Sequence, residues 1–322
     1  MNLSTQTRNQ FLAAAGVLAG VILAIVIRCS ISHHRTSHVS PGAGNPTMTA
    51  TGPAVAEVVT RHLTWADQQA AAGLDPQLNA LREFFTQAKA GSRAFAEDAL
   101  GFDSKWKFVK GYIVGGDDHR RYLAERFAAR VFTAEHLDQA VKYAVQAYLT
   151  HLENVDAMLL VNLRTDLANI PSNGFSSGMD PRVIEQSLSR AINEAVRGVE
   201  AEFPGAIGRE IVSIVAGDIV MVAGTKLATS AGILSAGVSG GWVSAGGTLV
   251  LSVIIDFFVS WAYDKFVDPA GELARKLDGT LTQLEQIIIA GYGDEPGLSK
   301  RLLNYGARRG EARKAAVHSV VH

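Results

Sequence analysis

The chain has 322 residues, 48% of them hydrophobic and 19% charged, with 30 Lys and Arg against 31 Asp and Glu for a formal net charge of -1. That balance excludes a general nucleic-acid binder, whose affinity would rest on excess positive charge, so no nucleic-acid partner is expected. The single cysteine, Cys29, excludes an intrachain disulfide and a multi-thiolate metal site, and the length is ample for a large core.

The first element in chain order is an apolar run from Phe11 to Ile27, set between Arg8 and Arg28. Its length, about 17 residues, lies at the short end of what spans a bilayer but exceeds a usual signal-peptide apolar region. No A-x-A cleavage site follows, and Arg28 directly before Cys29 argues against lipoprotein processing. Residues 1–29 therefore read as an uncleaved transmembrane anchor, which predicts a membrane localisation. Arg8 and the terminal amine on one side are matched by Arg28 and Arg35 on the other, leaving only a weak preference for an N-in orientation. Residues 30–54 form a linker, where Pro41, Gly42, Gly44, Pro46, Gly52 and Pro53 oppose regular structure. Its histidines, His33, His34 and His38, have no carboxylate or thiolate beside them and read as solvated rather than metal-binding.

Residues 55–205 carry helical patterning. Asp75-Pro76 and Asp180-Pro181, like Asp268-Pro269 further on, each set a capping carboxylate before a proline suited to a first helical turn. From Thr133 to Asn169, Leu137, Val141, Ala144, Tyr148, Leu152, Val155, Leu159, Leu163 and Leu167 recur at steps of three or four. That spacing predicts one long helix with an apolar stripe, its other face carrying Asp138, Lys142, Gln146, Glu153 and Arg164. Pro171 to Met179 reads as a loop, and Ile184, Leu188, Ile192, Ala195, Val199 and Phe203 stripe the next helix as far as Pro204-Gly205. Trp65, Phe84, Phe85, Phe95 and Trp106 are read as packing residues.

Residues 206–268 form a glycine-rich hydrophobic hairpin. From Leu227 to Ile255 no side chain is charged, and Gly224, Ala228, Gly232, Ala236 and Gly240 recur at every fourth position. Such a ladder lets two helical backbones approach closely. A turn at Gly237–Gly241 predicts helices of about Arg209–Ala236 and Trp242–Phe266, with Trp242, Trp261 and Tyr263 available as interfacial anchors. Asp218, Lys226 and Asp256 interrupt them, each opposing membrane insertion by about 2.5–3.5 kcal/mol near the bilayer centre. Folding about Ser239 sets Lys226 opposite Ser252 and predicts a buried pair of Lys226 with Asp256, Asp218 lying nearby.

In residues 269–322 the stripe returns at Leu273, Leu277, Leu281, Leu284 and Ile288, ending at Gly291 and Gly293. A last helix carries Lys300, Arg301, Arg308, Arg309, Arg313 and Lys314, a basic face suited to solvent or, alternatively, to anionic lipid. The only rival to helix is a short stretch such as Tyr112–Val114.

Catalytic motifs are poorly supported. Ser176 and Ser239 each sit in a G-x-S-x-G pattern, but in helix-to-helix loops without the strand that a nucleophile elbow requires. Gly111, Gly115 and Gly116 precede Asp117, Asp118 and His119 without the lysine of a phosphate loop, and His136, His151 and Glu153 lack zinc-binding spacing. No catalytic, cofactor or metal site is expected. An apolar hairpin wrapped by amphipathic helices resembles, in architecture, the helical pore-forming toxins of the colicin type. That resemblance implies a buried hairpin able to insert.

The expected fold class is all-α, an N-terminal anchor plus a helical bundle built around the hairpin. The expected function is non-enzymatic: a structural or interaction protein whose hairpin packs in or inserts into a membrane, with a pore-forming or membrane-perturbing role as the alternative. The expected partners are the lipid bilayer and either a protein or a second copy bound through helical faces.

Overall fold

The computed structural model describes residues 53–101, 118–171, 181–201, 209–230, 246–261 and 269–321. The anchor, residues 30–52 of the linker, Trp106, Tyr112–Val114, Ser176, Ser239, the hairpin turn and Gly232, Ala236 and Gly240 lie outside the described residues, while Pro53 and Ala54, expected in the linker, instead open the first described helix, where a proline lacks no intrahelical bond. The described elements are α1 (Pro53–Ala72), α2 (Leu74–Ala90), α3 (Ser92–Leu100), α4 (Asp118–Arg130), α5 (Ala134–Ala168), α6 (Pro181–Ala201), α7 (Arg209–Ser230), α8 (Gly246–Trp261), α9 (Pro269–Ile289), β1 (Gly291–Tyr292), β2 (Glu295–Pro296) and α10 (Leu298–Val321). The fold is all-α. The two-residue strands pair antiparallel in a tight connection between α9 and α10, turned with Gly293 in the left-handed region at φ 60°.

The helix boundaries follow local chemistry. The Thr133 side chain accepts a hydrogen bond from the His136 backbone N–H at 3.1 Å, capping α5 at its predicted start. Helices α6 and α9 are described from Pro181 and Pro269, the Asp180 and Asp268 before them lying outside the described residues, whereas α2 begins at Leu74, so that Asp75 lies inside its first turn.

Helix α5 is the axis of the bundle, 35 residues or about 52 Å long, and it packs against α1, α2, α6, α7 and α8. All nine residues of its predicted stripe are at most 3% exposed. Along its length the stripe serves two apolar cores. Leu137 to Leu152 belong to the larger one, with residues of α2, α3, α4, α7, α8, α9 and the start of α10. Val155 to Leu167 belong to a smaller, aliphatic one, with Val55, Val59 and Leu63 of α1, Ile184, Leu188 and Ile192 of α6, and Val317 of α10.

The larger core contains a chain of aromatic edge contacts. Phe258 of α8 meets Phe95 of α3 at 5.7 Å, Phe95 meets Phe127 of α4 at 5.4 Å, and Phe127 meets Phe132 before α5 at 5.1 Å. Phe132 then reaches Phe84 of α2 at 5.5 Å in a tilted contact, the three before it being edge-to-face. Edge-to-face geometry of this kind adds to simple area burial and binds the hairpin helix α8 into the surrounding helices.

Candidate functional site

The hairpin helices are the most apolar described elements, and they pack on each other, on α5 and, through α7, on α9. On α7, Ala216, Ile219, Val220, Ala223, Leu227 and Ala228 turn inward at 0–3% exposure; on α8, Val250, Val253, Ile254, Ile255 and Phe258 do the same. Among the described residues, one helical segment, Val212–Thr229, is long and apolar enough to cross a membrane by length and composition, and 44% of it is buried inside the bundle. Its outer side is mixed. Ile214 and Met221 are 39% and 51% exposed there, alongside exposed Asp218, Thr225 and Thr229.

Two members of the small-residue ladder can be placed. Gly224 abuts α8 so closely that an added Cβ would lie 3.0 Å from Leu249 Cγ and 3.2 Å from Val250 Cγ2, and Ala228 is buried at 3% exposure. At the start of α8, Gly247 faces the Ala134 carbonyl oxygen, 2.4 Å from where a Cβ would stand, so the α8 backbone rests directly on the first turn of α5.

The expected pair of Lys226 with Asp256 is not formed. Asp256 instead takes Arg120 of α4, whose Nη2 lies 2.9 Å from Oδ1 and 3.0 Å from Oδ2. Asp218 faces Arg301 of α10 at 3.9 Å. Register explains the difference. Gly224 facing Leu249 and Val250 sets Lys226, in an antiparallel pair, level with about Thr248, roughly 12 Å along the axis from Asp256. A fold centred on Ser239 is therefore off by about one helical turn.

The most deeply buried charges lie elsewhere, where the two cores meet. Asp156 of α5 accepts hydrogen bonds from Arg309 Nε at 2.6 Å and from Arg313 Nη1. Arg313, fully buried, also donates from Nη2 to Asp67 Oδ1 of α1 at 3.1 Å, and Lys314 Nζ contacts Asp67 Oδ2 at 2.8 Å and Glu311 at 3.0 Å. Burial works against the Arg309 charge, but Asp156 beside it outweighs that and holds the guanidinium above its ordinary pKa. Gly306 and Gly310 bring α10 close enough to close this cluster, since a Cβ on them would stand 2.5 Å from Tyr148 Oη and 2.6 Å from Asp67 Oδ1. The Tyr148 hydroxyl donates to the Ala70 carbonyl at 3.2 Å, and burial pushes its pKa up to about 12.

Arg309 and Arg313 thus correct the expected basic face of α10: they are interior groups, while Lys300 and Arg308 remain exposed. Arginine stays protonated throughout the accessible range, so Arg309 and Arg313 supply fixed charge and hydrogen bonds to the cluster. A cavity of about 340 Å³ opens beside it, lined by Asp67, Ala70, Tyr148, Leu303, Gly306 and Glu311. Its two carboxylates are already paired with Lys314 and Arg313. A shallower groove of about 540 Å³ runs past Phe84, Phe132, His136 and Tyr143.

The remaining candidates are dispersed. His136 and Glu153 are exposed, and His151 Nε2 donates to the Gln69 carbonyl at 2.8 Å. Among the described residues, no three His, Cys, Asp or Glu side chains are grouped to hold a metal ion. The chain matches no protein-family model, no curated protein and no solved structure.

Proposed function

We propose that the chain is a membrane-anchored helical interaction protein, not an enzyme, in which an amphipathic bundle sheathes a hydrophobic hairpin that is its second means of contact with a bilayer. One observation carries this reading: α7 and α8 turn their apolar faces into the bundle, while the acidic groups that interrupt them are taken up by arginines of two other helices. A helix apolar enough to seek a bilayer thereby keeps its inward face, 44% of the apolar segment, inside the bundle.

The test is to compare the full chain with one lacking residues 1–29. The full chain is expected to stay in the membrane pellet after alkaline carbonate extraction, and the shortened chain to be released as a soluble protein. Aggregation or firm membrane retention of the shortened chain would mean that the bundle does not sheath the hairpin.

The second reading, a pore-forming protein, is favoured by the length and composition of Val212–Thr229 and by the exposed Ile214 and Met221 on its outer side. Release of dye from loaded vesicles by the shortened chain is its expected signature.

A further inference from the structure

We propose that the Arg120–Asp256 pair is a latch that holds hairpin helix α8 in the bundle, and that the Asp256 carboxylate also bars that helix from lipid once the latch is open. The inference rests on the hairpin being the membrane-seeking element. Asp256 follows the buried run Val253, Ile254 and Ile255 and precedes Phe258, so it is the one charged residue in the described part of α8. Its carboxylate reaches the edge of the bundle, a third exposed, and both oxygens meet one guanidinium nitrogen of Arg120, itself 47% exposed. Helix α4 packs on α8, and Phe95 of α3 stands between Phe127 of α4 and Phe258 of α8, so the pair is a direct polar tie from the hairpin to a helix of the sheath. A pair this accessible is individually weak and gives way without unfolding the rest.

The two partners of the latch are not equivalent. With Arg120 removed, α8 is freed but still carries a charge that hydrocarbon excludes. With the Asp256 charge removed, both the tie and the barrier are gone. A purely structural ion pair would respond alike to loss of either side.

The experiment uses the full chain in vesicles of neutral and anionic phosphatidyl lipids, with Cys29→Ser and Met221→Cys so that one environment-sensitive fluorophore sits on the exposed side of α7. Amide hydrogen exchange reads opening, and quenching by acyl-chain-labelled lipid reads insertion. Arg120→Gln and Asp256→Asn are both expected to speed exchange in α8 several-fold, with α1 and α6 as unchanged internal references. Quenching is expected to rise several-fold in Asp256→Asn and to stay near the starting level in Arg120→Gln. The exchanged pair, Arg120→Asp with Asp256→Arg, is expected to restore slow exchange.

Unaltered exchange in both single variants, or exchange that rises equally in α1, would overturn the latch. Equal quenching in the two variants would overturn the second role of the carboxylate. Faster exchange in α8 without quenching in any variant would support the tie and overturn the membrane-seeking reading of the hairpin.

Discussion

The edge of the hairpin and the joint between the two cores use the same chemistry, an aspartate met by arginine, in opposite settings. At the hairpin, Asp256 and Arg120 are 33% and 47% exposed and each keeps access to water. At the joint, Arg313 and Arg309 are 0% and 4% exposed and Asp156 11%, so neither charge has water to fall back on. Burial converts one pairing from a removable contact into a fixture. The exposed pair contributes little and is free to open, whereas the buried one is costly to leave half-made and therefore fixes how α1, α5 and α10 meet.

The sharpest break of that comparison is to neutralise the carboxylate in each place. Asp156→Ala leaves two arginines buried against each other and is expected to cost about 3–5 kcal/mol in urea denaturation. Asp256→Asn, at the exposed edge, is expected to cost no more than about 1 kcal/mol. Equal losses would mean that burial does not separate the two pairs.

Next in size come the apolar cores themselves. Leu137 and Leu159 are both fully buried on α5, one in each core. Each Leu→Ala change is expected to cost about 2–5 kcal/mol. Because α5 runs unbroken through both cores, each variant is expected to shift one common thermal transition. Two separated transitions in Leu159→Ala would show that the joint does not couple them. At the joint, Gly310→Leu drives a side chain into Asp67 and is expected to cost about 1–3 kcal/mol, while Gly224→Ala in the hairpin meets only the flexible Leu249 and Val250 side chains and stays close to neutral.

These differences bear on what patterning reveals. The stripes of α5, α6 and α9 were legible because three- and four-residue spacing of Leu, Ile and Val has one economical solution, burial on one helical face. Helix α7 was legible instead from its long apolar run, and Gly224 as a point of close approach. Rotation and register were not legible, since several settings of an all-round apolar helix bury similar area; hence Asp256 found Arg120 rather than Lys226. The joint is not legible from charge alone, because charge ordinarily marks surface. Yet Asp156 stands four residues after Leu152 and three before Leu159, and Arg309 and Arg313 continue the spacing of Leu302 and Tyr305 towards Val317. A charge in phase with a stripe is the available signal for a buried pair, and it needs a second such charge on another helix to be read.

Titration separates the same two settings more gently. Tyr148 at the joint has its pKa raised from 10 to about 12 by burial, so its contribution is intact below pH 10 and is lost as pH rises towards 12, where the unfolded chain ionises first. The loss is expected to reach on the order of 2 kcal/mol, and Tyr148→Phe should flatten that alkaline slope at a fixed cost of about 1 kcal/mol for the lost hydrogen bond.

The smallest effect lies at the far end of the aliphatic core, where Asp166 meets His62 Nε2 and Arg61 Nη2, both at 2.8 Å. The hydrogen bond from His62 holds the Asp166 pKa below its ordinary value of 3.8, with Arg61 assisting. A lowered carboxylate contributes stability that is complete above the unfolded pKa and is lost as pH falls through the folded one, so the effect appears only below about pH 4. Asp166→Asn is expected to remove that small contribution at neutral pH and to reduce the steepness of the acid limb in a pH series of urea midpoints. An acid limb unaltered by that substitution would show that the contact at this solvated helix end, unlike the one at Asp156, does not distinguish the folded chain from the unfolded one.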